Sequence, residues 1–198
     1  MGDTPDPVGG GPQYPGMMTK GIESRENYYY RRLFTDAVRA IDTVRDLPLV
    51  DRNRVSVFGQ SQGGGIALAV AGLVPDLAAA APCVPFLCDF PRATVITDAY
   101  PYKEIRDFLA VHRDKVDAVA GVLPYFDGVN FARRAQAPAL FSASQMDAVC
   151  PPSTIYGAYN VYAGEKSMSL WQYNGHEGGG IVDEQRALAF FREVDARH

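Results

Sequence analysis

The chain has 198 residues, 47% of them hydrophobic and 21% charged, with a net charge of −4. That length suffices for one domain with a sizeable core, and the composition is that of a soluble globular protein. Basic and acidic residues are interspersed and the only basic doublets are Arg31-Arg32 and Arg133-Arg134, so no basic stripe argues for a nucleic-acid partner.

Residues 1–21 repeat Gly and Pro with little apolar content and read as a loop. They do not form a basic region followed by an apolar one, so no signal peptide is expected. No uncharged apolar run reaches the roughly 18 residues of a membrane span. Ser24 is expected to cap a helix, with Glu26 in its first turn. Leu33, Phe34, Ala37, Val38, Ile41 and Val44 repeat at helical spacing and define its buried face. Pro48 stops it.

A β-rich run, residues 54–58, then leads into Gly59-Gln60-Ser61-Gln62-Gly63 and an apolar helical run to about Gly72. Strand, G-x-S-x-G, helix is the context that turns a serine into a nucleophile, because the serine sits at the apex of a sharp turn. Side chains at positions 59 and 63 are expected to collide there, which makes both Gly. The new helix brings its free N–H groups beside Ser61, where an oxyanion would form.

Ala78-Ala79-Ala80-Ala81 before Pro82 reads as a buried strand in this alternating context. Residues 83–136 break the rhythm with short amphipathic pieces near 90–98, 102–112, 114–122 and 128–135, read as helices inserted over one end of a sheet. Residues 139–143 form the next strand. Pro151 and Pro152 open a helix of about ten residues. Residues 167–171 alternate as a strand. Asp183 to about Ala196 closes the chain as a helix, with Ala187, Leu188, Phe190, Phe191 and Val194 toward the core. The alternation implies a mostly parallel sheet with helices on both faces.

A serine nucleophile needs a base, and the base an orienting acid. Of the three histidines, His112 lies in a charged helical segment and His198 is the last residue; surface roles suit both. His176 follows a strand, in the loop Tyr173-Asn174-Gly175-His176-Glu177-Gly178-Gly179. Asp147 comes directly after the strand 139–143. Ser61, Asp147, His176 is the Ser–acid–His order of α/β-hydrolases, each just past a strand's C-terminal end, where parallel sheets place their sites. Against this stand blander roles: Asp147 capping the helix near Pro151, and His176 as a surface residue. Glu177 is a rival acid that reaches back poorly to its neighbour, while Asp89 and Asp127 fit structural hydrogen bonding. Cys83, Cys88 and Cys150 are odd in number and lack metal-ligand spacing, so reduced, packed thiols of a cytoplasmic protein are expected.

Longer motifs narrow the reading. Gly21-Ile22 with Tyr28-Tyr29-Tyr30-Arg31, Gly59 to Gly64, Pro85-Phe86-Leu87-Cys88-Asp89-Phe90, Tyr125-Phe126-Asp127 with Asn130-Phe131, Met146-Asp147 with Cys150-Pro151-Pro152-Ser153-Thr154, and His176-Glu177 resemble the acetyl xylan esterase and cephalosporin C deacetylase family over nearly the whole chain. The resemblance implies an α/β-hydrolase fold and a serine esterase acting on acetylated xylo-oligosaccharides and 3′-acetoxy cephalosporins. It implies Ser61 as nucleophile, Asp147 as acid, His176 as base and the Gln62 backbone N–H as an oxyanion donor. It implies no cofactor and no metal, a cytoplasmic location, and a homo-oligomer, a hexamer in the family. Phe86, Tyr100 and Tyr125, with Tyr102, are candidate substrate-lining residues. The chain also departs from the family: the portion carrying the first strands and a tyrosine whose N–H is the second oxyanion donor is expected to be missing, which makes residues 54–58 an edge strand. Two other readings are a remnant that needs a complementary chain, and a prolyl-peptidase-like hydrolase acting on amides.

Overall fold

A computed structural model describes Val8 and residues 16–197; the remainder of the expected N-terminal loop and His198 lie outside the described residues. The elements in chain order are α1 (Tyr29–Arg45), β1 (Ser56–Gln60), α2 (Gln62–Leu73), β2 (Ala79–Cys83), α3 (Phe90–Ile96), α4 (Tyr102–Val111), α5 (Val116–Val122), α6 (Gly128–Ala132), β3 (Ala139–Ser144), α7 (Pro152–Val161), β4 (Lys166–Trp171) and α8 (Ile181–Asp195). The four strands form one parallel sheet in the order β1-β2-β3-β4. Strand order therefore follows chain order, and all four C-terminal ends point the same way.

The expected alternation holds, with local corrections. Ser24 does not cap α1. Its hydroxyl accepts from Asn27 N–H and its carbonyl from Tyr28 N–H, so it closes a separate turn, and α1 starts at Tyr29 without a side-chain cap. The first strand runs two residues further than expected and takes in Gly59 and Gln60, because Gly59 and Gln60 keep pairing with Pro82 and Cys83. On α8, Ala187 and Val194 are buried as expected, but Leu188 is 57% exposed and Phe190 and Phe191 are only half-buried. That helix meets the sheet along a narrow stripe, and positions one residue off the stripe turn outward.

The core lies where α2 meets β1, β2 and α6. Small residues make this possible. Gly64, Gly65, Ala67, Ala69, Ala71 and Gly72 of α2 are all buried, which lets the helix axis approach strands and loops that larger residues would hold off. Phe141 on β3 is fully buried between the edges of the Tyr159 and Tyr162 rings, each with its centroid 5.4 Å away. Burying such a side chain contributes about 1.5–3 kcal/mol. The short helices α3 to α6 connect β2 to β3. They are anchored by Asp127, whose carboxylate accepts from the N–H groups of Asp89, Phe90 and Val129. Among the described residues no strand pairs with the outer edge of β1, and Phe58 there is 43% exposed. No helix among the described residues is long and apolar enough to cross a membrane.

Candidate active site

Ser61 stands between the end of β1 and the start of α2 with φ 55° and ψ −115°, a conformation that costs a non-glycine residue of order 1–3 kcal/mol. The surroundings hold it there: Ser61 N–H donates to the Cys83 carbonyl at 3.0 Å, and the Ser61 carbonyl accepts from Gly65 N–H at 3.0 Å and Phe86 N–H at 2.9 Å. The two motif glycines differ. A Cβ on Gly59 would meet the Gly63 carbonyl oxygen at 2.1 Å, so this position does exclude side chains. A Cβ on Gly63 would meet nothing within 4 Å. The expectation that both flanking positions are closed is therefore corrected at Gly63. The crowding falls instead on Gly65, whose Cβ would lie 2.2 Å from the Phe86 carbonyl oxygen.

His176 enters from the loop after β4. Its Nε2 lies 2.7 Å from Ser61 Oγ and its Nδ1 lies 2.9 Å from Asp147 Oδ2. The Asp147 side chain is wholly buried, while the imidazole retains partial exposure. The other Asp147 oxygen, Oδ1, accepts from the N–H groups of Val149 and Cys150, both at 2.8 Å. Two backbone donors thus fix the carboxylate and leave Oδ2 for the ring. Asp147 does not cap α7, which starts at Pro152 behind Pro151 without a side-chain cap.

Glu177 is turned away from this chain of contacts. Its Oε1 accepts from the Asn174 side-chain amide and Gly175 N–H, both at 3.1 Å. Hydrogen bonds from its own backbone first, then from Asn174 and Gly175, hold its carboxyl below its usual value. The Gln62 side chain donates to the Tyr30 hydroxyl at 3.0 Å, which seats the first residue of α2 on a buried phenol that burial pushes above its usual range. The Gln62 N–H is among the first-turn donors of that helix, which have no intrahelical acceptor.

The candidate substrate-lining aromatics differ in their surroundings. Phe86 N–H donates to the Ser61 carbonyl, and its ring is buried, 4.4 Å centroid to centroid from Tyr102. Tyr102 is also core, its hydroxyl bonded to Cys88 N–H and carbonyl. Tyr125, with Arg25 stacked on it, lines a groove of about 500 Å³ with Arg31, Phe34 and Val38 of α1. Tyr100 is 44% exposed beside Lys103. The pair Phe86–Tyr102 is corrected to packing, since an apolar loop pinned to α2 must bury its rings.

Ligand atoms of Asp147, Cys150 and His176 lie within 4.8 Å of one another. The carboxylate and imidazole already satisfy each other, and burial first, then the Asp147 charge, push the Cys150 thiol well above its usual range, so this cluster is explained as a hydrogen-bonded group around a packed thiol. Two contacts escaped the sequence: Gln60 Nε2 donates to the Glu177 carbonyl at 3.2 Å, and Asp183 is buried among donors from three elements. A charged residue in the first turn of a predicted helix gives no sign of the strand ends it meets.

A serine, an imidazole and a buried carboxylate thus stand in one line past the C-terminal ends of three parallel strands. The acetyl xylan esterase (AXE1) family model matches residues 2–194. The chain belongs to the acetyl xylan esterase family. Acetyl esterase Axe7A of Xylanibacter ruminicola is 34% identical over 165 residues, covering 81% of this chain and 36% of that protein. The acetyl xylan esterase from Paenibacillus sp. R4 superposes with a TM-score of 0.87 at 40% identity, covering 92% of this chain and 59% of that one. Acetyl xylan esterase 1 from Thermoanaerobacterium sp. gives 0.84 at 33% identity, covering 93% and 59%. The α/β-hydrolase fold expected for the family is thus the fold found, and the chain spans about a third to three-fifths of these relatives' length.

Proposed function

We propose that this chain carries the active site of a serine acetyl esterase, with Ser61 as nucleophile, His176 as general base and Asp147 as the acid that orients it. One observation carries the reading: the two nitrogens of His176 stand 2.7 Å from Ser61 Oγ and 2.9 Å from Asp147 Oδ2. With Nδ1–H donating to Asp147 Oδ2, the Nε2 lone pair faces the serine hydroxyl. Ser61 attacks the acetyl carbonyl as His176 takes its proton. The Gln62 N–H stabilises the oxyanion. The alcohol leaves with the proton from His176, and water activated by the same nitrogen then releases acetate. The family and the names of its relatives support acetylated xylo-oligosaccharides as substrates, with 3′-acetoxy cephalosporins as a second class that presents the same acetate ester. The hexamer, the cytoplasmic location and the cover that the helices between β2 and β3 give the site belong to the same proposal.

The test is hydrolysis of 4-nitrophenyl acetate by the purified chain. Ser61→Ala and His176→Ala are expected to abolish both the burst and the turnover; an unchanged burst in His176→Ala would remove His176 from the base role. A second reading rests on the edge of β1 that no strand among the described residues pairs with, and on the exposure of Phe58: the chain works only when a further strand pairs with β1. Turnover that appears on adding the longer relatives' N-terminal strands as a separate polypeptide, and is absent before, favours it.

A further inference from the structure

His176 lies two residues before the Gly178-Gly179-Gly180 run, and a side chain carried beside glycines needs something to fix its loop. Gly178 and Gly180 have φ 62° and 52°, a region that glycine enters freely. The carboxylate that meets this run is Asp183, in the first turn of α8. Its Oδ2 accepts from Gly179 N–H at 2.9 Å and from the Ser142 hydroxyl at 2.9 Å; its Oδ1 accepts from Trp171 Nε1 at 3.0 Å. Ser142 lies on β3 and its hydroxyl also accepts from Val84 N–H, just past β2, at 3.3 Å. Trp171 is the last residue of β4, and its indole is the floor on which the loop lies: a Cβ on Gly179 would come within 2.2 Å of the ring. Arg186, one turn further along α8, stacks over the same ring at 4.7 Å. One buried carboxylate therefore ties β3, the end of β4 and, through Ser142, the start of the loop after β2 to the loop that carries His176.

We propose that Asp183 is the positioning residue for His176: it sets the reach of the imidazole to Ser61 without touching either reacting atom. The inference rests on the reading of His176 as base. Glu177, between His176 and the glycine run, is fixed through its carbonyl by Gln60 and through its carboxylate by Asn174 and Gly175. With Asp183 removed, the Glu177 contacts and the turn bonds from Gly178 N–H to the Gly175 carbonyl and from Gly180 N–H to the Glu177 carbonyl remain, but the glycine run loses its tie to β3 and β4. Charge-assisted hydrogen bonds such as these three are roughly twice as strong as neutral ones. They are the side-chain contacts that join the glycine run to the sheet.

The test uses an alkyl fluorophosphonate on the full chain. Ser61 Oγ forms a bond to phosphorus, fluoride leaves, and the serine proton passes to His176. Asp183→Ala is expected to lower kinact by about ten- to a hundredfold, the scale on which a displacement of about 1 Å acts, with KI unchanged. Asp183→Asn keeps one acceptor oxygen and should fall between. Trp171→Phe removes one donor while keeping a ring under the loop, and serves if the Asp183 variants do not fold; it should lower kinact several-fold. Val194→Ala, at the buried far end of α8, controls for stability: it should lower Tm while kinact stays within about twofold. Wild-type kinact in folded Asp183→Ala or Asp183→Asn, or in Trp171→Phe where neither folds, overturns the proposal, as does an equal loss in Val194→Ala. If His176→Ala labels as fast as wild type, or Ser61 is not labelled at all, the reading of the base fails first and takes this one with it.

Discussion

Gly59 and Gly63 flank Ser61 symmetrically in sequence, yet replacing each with alanine should have opposite effects. A methyl on Gly59 would stand 2.1 Å from the Gly63 carbonyl oxygen and 2.2 Å from its carbon. Ordinary contacts of this kind lie near 3.4–4 Å, so β1 and the first turn of α2 would have to part by about an ångström. Both sides of the contact are backbone, and neither has a rotamer with which to yield. Overpacking of this sort costs about 1–3 kcal/mol. The cost falls on the junction that carries Ser61, and a displacement of about 1 Å in an active site can cost about a hundredfold in rate. A methyl on Gly63 meets nothing within 4 Å and sits in the first turn of α2, where replacing glycine relieves up to about 1 kcal/mol of helix cost.

The assay pairs urea unfolding with 4-nitrophenyl acetate turnover. Gly59→Ala should lower the unfolding midpoint and reduce kcat about a hundredfold. Gly63→Ala should leave the midpoint equal or raised, and any effect on turnover should be confined to KM, since its methyl faces open space. Equal losses in the two variants, or an intact Gly59→Ala, would refute the steric reasoning.

Three further outcomes are expected. Burial, and then the Asp183 charge, push the Cys83 thiol up to about 12, and burial places Cys88 and Cys150 well above their usual range. At pH 8 Cys83 is then thiolate in about one molecule in 10⁴, so a disulfide reagent should find no fast thiol in the native chain and three after denaturation; one thiol reacting at once contradicts this. Burial raises the Asp127 carboxyl above its usual value, against three N–H groups that lower it. A raised folded value means that its stabilising contribution is complete below the unfolded value of about 3.9 and is lost as pH rises through the folded value. Urea midpoints of wild type minus Asp127→Asn should therefore fall as pH rises from near 4, and a rising difference reverses the sign. Gln60→Ala removes the donor to the Glu177 carbonyl and is expected to lower kcat several-fold with KM unchanged; equal kcat would show that this contact does not steer the His176 loop.

What the sequence made legible follows from what each residue's role requires. Ser61 could be found because a strand-to-helix turn restricts its neighbours locally. Asp147 and His176 could be ordered because each strand ends in a recognisable loop. The alanine strand β2 and the proline-opened α7 were readable from alternation and from Pro at a helix start. Which aromatics are buried was not. Phe86, between β2 and α3, and Tyr125, between α5 and α6, are both aromatics in connecting segments, and only tertiary packing decides that Phe86 turns into the core while Tyr125 faces the groove beside α1. Leu188 failed for the same reason, because periodicity gives a helix face and not the width of its contact. Asp183 was visible only as an acidic residue in a first turn, where the helix dipole alone would favour it.

The topology explains why such a residue is needed. In the order β1-β2-β3-β4, Ser61 follows β1 and His176 follows β4, three strand spacings away, or about 14 Å. An imidazole cannot cross that distance from the end of its own strand. The loop after β4 must therefore double back over β3 and β2 before the ring can meet Ser61 Oγ. Asp147, after β3, lies under that path and takes the Nδ1 side of the ring. A backbone that doubles back wants glycine, and residues 175–180 hold four. Those glycines raise the entropy of the unfixed loop, so a loop long enough to reach Ser61 is also free to miss it. The contacts from Gln60 on β1 and from Asp183, Ser142 and Trp171 behind it offset that freedom. Each anchor comes from a different element, so the position of the ring is set by the sheet as a whole.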